Sequence, residues 1–315
     1  MHLIGLRNMD REQIIRLLDG AEEYLDEEGQ VTTPAKCQEL LKGTTLGLLF
    51  LELSTSTRVS FELAARRLGG EVVLITPEDR SSRRGESAAD TCRLLAAMGV
   101  DGFVVRHHDR QLPHVLVDRI ASPIINAGNG NGENPTQGLI DALTLRRHFN
   151  LKTDLSGLKI AIMGDVVHSR VARSDAHAFA KLGAEVLLAG PRMLLPTGDR
   201  TAKWPGRTTN SRKEALRWAD AVILLRIQQE RIHGNIIDAH EYAMDWGIDS
   251  SIVDRYLGKD TVIMHPGPVV RGVELSDPVV DSDRCLILDQ VTNGVAMRQA
   301  VLERYFGESA ATSTR

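Results

Sequence analysis

The residues best suited to chemistry lie in short stretches that follow apolar runs. Four of these carry unusual polar loads: Ser54-Thr55-Ser56-Thr57-Arg58, Arg106-His107, Asn134-Pro135-Thr136-Gln137 and His265-Pro266-Gly267-Pro268. The first sets hydroxyls and backbone N–H groups at the start of an amphipathic run, where the helix macrodipole and unpaired donors both favour an anion such as phosphate. Ser and Thr also serve there as helix caps, which by residue type alone is the commoner role. Arg58 sits in the first turn, where a cation opposes the dipole, and this points to an anion close by. Arg106 follows Gly102-Phe103-Val104-Val105, so its five-donor fork stands at the carboxyl end of a buried strand. It suits a carbonyl or phosphate oxygen, and a structural ion pair is equally compatible. Asn134 and Gln137 lie on the entry turn of a helix with Pro135 at its first position; their amides can face a ligand, or Asn134 can simply cap. Farther on, Arg170 and Arg173 follow Met163-Gly164-Asp165, and Arg226 with Gln228 closes Val222-Ile223-Leu224-Leu225. Two arginines at the ends of neighbouring strands suit a dicarboxylate, although surface ion pairing is the usual fate of such residues.

Other chemistries find no support. The glycines Gly128, Gly130 and Gly132 lead into Asn134-Pro135 and do not form the Gly-x-Gly-x-x-Gly of a dinucleotide loop. No histidine is spaced with a carboxylate or thiol as metal ligands are, so no metal is expected, and no Ser/His/Asp arrangement stands out. Cys37, Cys92 and Cys285 are far apart and odd in number, which reads as three reduced, mostly buried thiols. A net charge of −4 gives no basic excess for nucleic acid. No apolar run approaches the ~20 residues of a membrane span and the start lacks a signal peptide, so the expected location is cytoplasmic.

The elements that must position these residues alternate. A helix is expected over Asp10–Glu28, then Thr44–Glu52 reads as a strand and the run after Thr57 as a helix with Val59, Phe61, Leu63, Ala64 and Leu68 inward. Strand, polar loop and helix recur at Glu71–Ile75, Gly102–His107 and Ser122–Gly128, and again from Lys159, Glu185, Ala219 and Thr261. This predicts an α/β protein of two domains, each a parallel sheet flanked by helices. At 315 residues the length also suits two cores. A break near 150–157 separates residues 1–150, with a C-terminal helix 293–307 packing back on them, from residues 151–292. The polar tail from Glu308 reads as disordered.

Taken in order, these loops resemble the aspartate/ornithine carbamoyltransferase family over nearly the whole chain, and the aspartate-specific catalytic chains within it. The stretches that carry the resemblance are STSTRVSFELAARRLGG, SSRRGES, VVRH, NAGNGNGENPTQGLIDALTL, MGDVVHSRVARS, LLRIQQER and MHPGPVVRGVEL. The resemblance implies a first domain that holds carbamoyl phosphate through Ser54, Thr55, Ser56 and Thr57, with Arg106, Asn134 and Gln137 as catalytic groups at its carbamoyl end. It implies that carbonyls of the Gly267-Pro268 loop, with a cis bond before Pro268, receive the amide. The aspartate carboxylates fall to Arg170, Arg226 and Gln228, and to Arg84 from a neighbouring subunit. Aspartate is favoured over ornithine because these arginines fit an acidic acceptor and no Cys-Leu-Pro stretch stands in place of His265-Pro266-Gly267-Pro268.

The activity so implied is carbamoyl transfer from carbamoyl phosphate to L-aspartate in de novo pyrimidine biosynthesis, with no cofactor. The assembly implied is a homotrimer with shared sites, and a dihydroorotase or regulatory chain is the companion it suggests. The chain departs from the family pattern at Ser56, where the middle arginine of Ser-Thr-Arg-Thr-Arg belongs, and at Asn134, where histidine does. Arg84-Gly85-Glu86 replaces Lys-Gly-Glu, one residue short after Ser81-Ser82, and Val270 replaces asparagine. Lys42, Arg83 or Arg84 are the candidates to replace the charge missing at Ser56. Two alternatives stay open: a transcarbamoylase for another substrate, and an impaired or inactive homologue that acts as a structural subunit.

Overall fold

A computed structural model describes residues 1–76, 87–198, 203–227 and 238–312. The chain forms two compact units, Met1–Ile140 with Thr292–Arg315, and Asp141–Val291. Each is built on an all-parallel sheet with helices, the predicted α/β class.

In the first unit the strands are β1 (Thr45–Phe50), β2 (Glu71–Ile75), β3 (Gly102–His107) and β4 (Ile124–Asn129), in the order β2-β1-β3-β4. Nearly every residue of β1, β3 and β4 is buried, as a parallel sheet covered on both faces requires, while the edge strand β2 alternates. Helices α1 (Arg11–Glu22), α2 (Thr55–Arg67), α3 (Ala88–Ala97), α4 (Leu112–Arg119) and the start of α5 (Pro135–His148) accompany them.

The second unit orders its strands β7-β6-β5-β8-β9, namely β5 (Lys159–Met163), β6 (Glu185–Ala189), β7 (Arg207–Thr209), β8 (Ala221–Leu224) and β9 (Val262–Met264). Its helices are α6 (Arg170–Lys181), α7 (Arg212–Trp218), α8 (Ala239–Trp246), α9 (Ser250–Tyr256) and α10 (Asp277–Val280). The last helix, α11, runs Ile287–Thr312. It packs on the first unit as expected: Phe306 lies against Gly102, where a Cβ would meet the ring at 2.3 Å, and Ala300 lies beside Gly20 of α1.

Several expectations are corrected. Helix α1 stops at Glu22 because Asp26 turns the chain, accepting from the N–H groups of Glu28 (3.1 Å) and Gln30 (2.7 Å), with Gly29 at φ 77°. On α2, Phe61, Ala64 and Leu68 are buried, but Val59 and Leu63 face outward at 37% and 42% exposure. The buried face instead takes in Ser60, whose hydroxyl accepts from Arg298 Nη1 of α11 at 2.8 Å while the same guanidinium lies 5.0 Å from the Phe61 ring centre. Strand β7 went unread because it holds only Arg207, Thr208 and Thr209. Helix α11 begins before residue 293 and continues to Thr312, so the backbone from Glu308 to there is helical, in keeping with its glutamate and alanines. Among the described residues, no helix is long and apolar enough to cross a membrane. Cys37 and Cys92 are buried and Cys285 is half-buried, and none of the three is in a disulfide.

Candidate active site

In an open parallel sheet, ligands bind beyond the carboxyl ends of the strands where strand order reverses. In the first unit that reversal lies between β1 and β3, since the chain passes from β1 to β2 on one side and then crosses to β3 on the other. The carboxyl ends of β1, β3 and β4 carry the predicted residues: Ser54–Thr57 after β1, Arg106 on β3, and Asn134–Gln137 after β4. Register aligns Phe50 with Arg106, and the Leu51 N–H donates to the Arg106 carbonyl at 2.9 Å.

The first turn of α2 is open. Ser54 occupies the N-cap position, yet its side chain makes no capping bond; its hydroxyl donates to Thr57 Oγ1 at 3.0 Å. The capping role that residue type favours is thus not taken up, and Thr55 and Ser56 stand exposed beside a half-buried Ser54 and a buried Thr57. Arg58 does not require an external anion, because Nη1 lies 3.6 Å from Glu62 Oε2 one turn on. Lys42 cannot serve Ser56: it precedes β1 and pairs with Glu39 at 3.0 Å, while Ser56 follows the far end of a strand roughly 20 Å long.

Arg106 is held from two sides, with Nη2 3.2 Å from Glu52 Oε1 and Nη1 donating to the Ala127 carbonyl at 3.1 Å. Glu52, absent from the sequence reading, aims this guanidinium; it stands next to the Ser54 loop, which was the available signal. The loop delivering Asn134 and Gln137 owes its shape to two further unread residues. Asn126 Nδ2 donates to the carbonyls of Ile4 (2.8 Å) and Glu133 (3.2 Å), and Asn129 Oδ1 accepts from the Glu133 N–H at 2.7 Å. Gly130, at φ 48°, lies so close to the His108 carbonyl that a Cβ would sit 2.3 Å from it. The Asn134 carbonyl accepts from the N–H groups of Gln137 (3.0 Å) and Gly138 (3.2 Å) at the start of α5. Asn134 is buried and Gln137 half-buried.

The second unit repeats this logic. Strand order reverses between β5 and β8, and the ends of β5, β8 and β9 lead to Arg170, Arg226 and Gly267-Pro268. Ser169 caps α6 by accepting from the Ala172 N–H at 3.1 Å, which sets Arg170 as the first helical residue and nearly buries it. Before it, the wholly buried Asp165 contacts His168 Nδ1 at 2.8 Å and stiffens the loop. Arg173 stacks on Trp204, 4.3 Å from the ring centre. Arg226 is exposed, and its charge bears on Glu274, whose pKa burial raises and nearby N–H groups and Arg226 pull back down. Glu274 in turn accepts from the Val270 N–H at 2.6 Å, tying down the segment after Pro268. The Gly267–Pro268 peptide is cis and Gly267 has φ 70°. Arg83, Arg84 and Gln228 lie outside the described residues.

Two family models match this chain. The aspartate/ornithine carbamoyltransferase carbamoyl-P binding domain covers residues 1–147, and the Asp/Orn binding domain of the same family covers residues 156–305. The chain belongs to the aspartate/ornithine carbamoyltransferase family. It is 43% identical to an aspartate carbamoyltransferase catalytic subunit from Clavibacter sepedonicus over 96% of both chains. It is 44% identical to the corresponding subunit from a Nocardioides species, over 98% of this chain and 95% of that one. Among solved structures it resembles ornithine carbamoyltransferase from Pyrococcus furiosus, with a TM-score of 0.84, 27% identity and 96% coverage of each. Within this family the loops after β1, β3 and β4 fall in the carbamoyl-P binding domain, and Arg170, Arg226 and Gly267-Pro268 fall in the Asp/Orn binding domain.

Proposed function

We propose that the protein transfers the carbamoyl group of carbamoyl phosphate to the amine of L-aspartate, releasing N-carbamoyl-L-aspartate and phosphate, a step of de novo pyrimidine biosynthesis. The observation that carries this reading is the full-length identity of 43% and 44% to catalytic subunits named for aspartate. The open first turn of α2 suits the phosphate: its hydroxyls and N–H groups supply donors, and the dipole favours charge leaving as phosphate. Arg106, Asn134 and Gln137 polarise the carbamoyl oxygen and stabilise the tetrahedral oxyanion formed as the amine attacks. Arg170 and Arg226, with Gln228 and a partner-derived Arg84, hold the two aspartate carboxylates. Carbonyls of the Gly267-Pro268 turn accept from the nitrogen. The protein thereby contributes position and electrostatics, and the chemistry needs no cofactor.

A second reading rests on Ser56. Its hydroxyl stands exposed in the first turn of α2 and brings no charge to the leaving phosphate, and Asn134 cannot become cationic where the family has histidine. This favours a slow or retired transferase that acts as a structural subunit beside a companion such as dihydroorotase. Purified protein, alone and with any companion subunit, is assayed for carbamoyl aspartate at saturating substrates. Product formation supports the first reading; its absence, with aspartate and with other amine acceptors, leaves the second.

A further inference from the structure

Asp141 interrupts an apolar stretch of α5, between Leu139-Ile140 and Ala142-Leu143, and is wholly buried. Asp175 on α6 is wholly buried too, and Gln290 in the first turns of α11 nearly so. With His265 they all belong to the second unit. The Gln290 side-chain amide bridges two partners: Nε2 donates to Asp141 Oδ1 at 2.7 Å, and Oε1 accepts from the His265 N–H at 3.0 Å. His265 passes the constraint on, its Nδ1 accepting from the Gly267 N–H at 2.9 Å. Its ring proton must therefore sit on Nε2, and burial, which lowers its pKa to about 4, keeps the ring neutral.

At the other end, the Asp175 carboxyl neighbours that of Asp141, whose charge acts on it. Neither Asp175 oxygen receives an N–H or O–H donor from a described residue. Two ionised carboxylates cannot share such a site; one proton between them makes it stable. Burial and then the Asp141 charge hold the Asp175 pKa well above the usual carboxylate range, so the proton stays near neutral pH. Its O–H facing Asp141 removes the repulsion between the two carboxyls and leaves Asp141 as the acceptor for the Gln290 amide. The His265 N–H, which can only donate, and the Asp141 acceptor together set that amide with nitrogen to Asp141 and oxygen to His265.

We infer that Asp141, Asp175 and Gln290 are positioning residues for the His265–Pro268 turn, in which one proton shared by two buried carboxyls keeps Asp141 in place as the acceptor that anchors the Gln290 amide, and so holds the carbonyls that meet the reacting nitrogen. The role rests on the carbamoyl-transfer reading, which gives the turn its task. None of the three touches substrate; they act through the backbone of His265 and Gly267.

The test has two arms. Infrared spectra of ligand-free wild-type protein at pH 6 to 8, in H2O and D2O, show a protonated-carboxyl stretch that Asp175→Asn abolishes; no such band overturns the shared proton. Steady-state kinetics then compare Asp175→Asn, Asp175→Leu and Gln290→Met. An asparagine amide donates to Asp141 without needing a proton, so Asp175→Asn holds kcat within about threefold while Asp175→Leu loses at least tenfold. Gln290→Met loses at least tenfold in kcat with KM for aspartate within about threefold, as misaligned chemistry with intact binding requires. Wild-type kcat in Gln290→Met, or equal losses in the two Asp175 variants, overturns the inference. The infrared arm needs only wild-type and Asp175→Asn protein, so it decides even where a variant does not fold. It also survives a wild type that transfers no carbamoyl group, which separates failure of this inference from failure of the proposed function.

Discussion

A serine hydroxyl in the first turn of α2 offers a leaving phosphate a hydrogen bond and no positive charge. One charged transition-state contact is worth about 3–4 kcal/mol, a rate factor of roughly a hundred to a thousand. Ser56→Arg, at an exposed position with room for the longer chain, is therefore expected to raise kcat at least tenfold, measured as carbamoyl aspartate formed at saturating substrates. An unchanged kcat would mean that the charge already comes from elsewhere. Arg106 bears a heavier load, since Glu52 and the Ala127 carbonyl hold its fork in place. Arg106→Leu is expected to lower kcat/KM by about 10²–10³. His265 gives a pH signature. Its folded pKa of about 4 lies below its ordinary 6.5, so as pH falls from 6.5 towards 4 the unfolded chain takes up a proton that the folded one refuses. Stability is full above that window and declines through it, by roughly 2 kcal/mol between pH 7 and pH 5. Urea titrations at the two values should show that difference in wild type and a smaller one, by about that amount, in His265→Asn.

Elements were legible wherever apolar runs were long enough to mark a strand covered on both faces. Strands β1, β3, β4, β5 and β8 each carry at least four consecutive buried positions, and their carboxyl ends pointed directly to Ser54, Arg106, Asn134 and Arg226. What escaped was set by tertiary partners that no local pattern encodes. The inward face of α2 includes Ser60 because Arg298, far along the chain, satisfies its hydroxyl. Glu52, Asn126 and Gln290 were missed because each works through long-range or loop-closing hydrogen bonds; the unused signal for Gln290 was Asp141, a carboxylate inside an apolar helix. The same dependence on distant partners ties α1 to α11: the buried Tyr24, just past α1, donates its hydroxyl to Glu303 Oε2 at 2.7 Å. Burial, followed by the bond to Glu303, raises the Tyr24 pKa far beyond neutrality, so the hydroxyl keeps its proton. Tyr24→Phe is expected to cost about 1–2 kcal/mol, read as a lower urea midpoint with the slope unchanged, because the half-buried Glu303 can turn to water.

At the scale of the whole molecule, the first unit presents apolar side chains that its own core does not use. Val59 and Leu63 stand one turn apart on the outer face of α2, and Leu94 and Met98 stand exposed one turn apart at the end of α3. A soluble monomer tolerates such residues singly, but pairs repeated on two helices of one unit are more economically explained by burial against another chain. A homotrimer, the assembly that goes with the proposed function, would supply that cover. Sedimentation of the wild type should then report a particle of three 34.7 kDa chains. Leu63→Glu places a charge on the outer face of α2 without touching Phe61, Ala64 or Ala65 beneath it, so the fold should survive with its circular dichroism unchanged. If α2 meets a neighbouring chain, the variant sediments as a monomer and loses activity in step with dissociation. A Leu63→Glu protein that remains trimeric would assign the outer face of α2 to solvent.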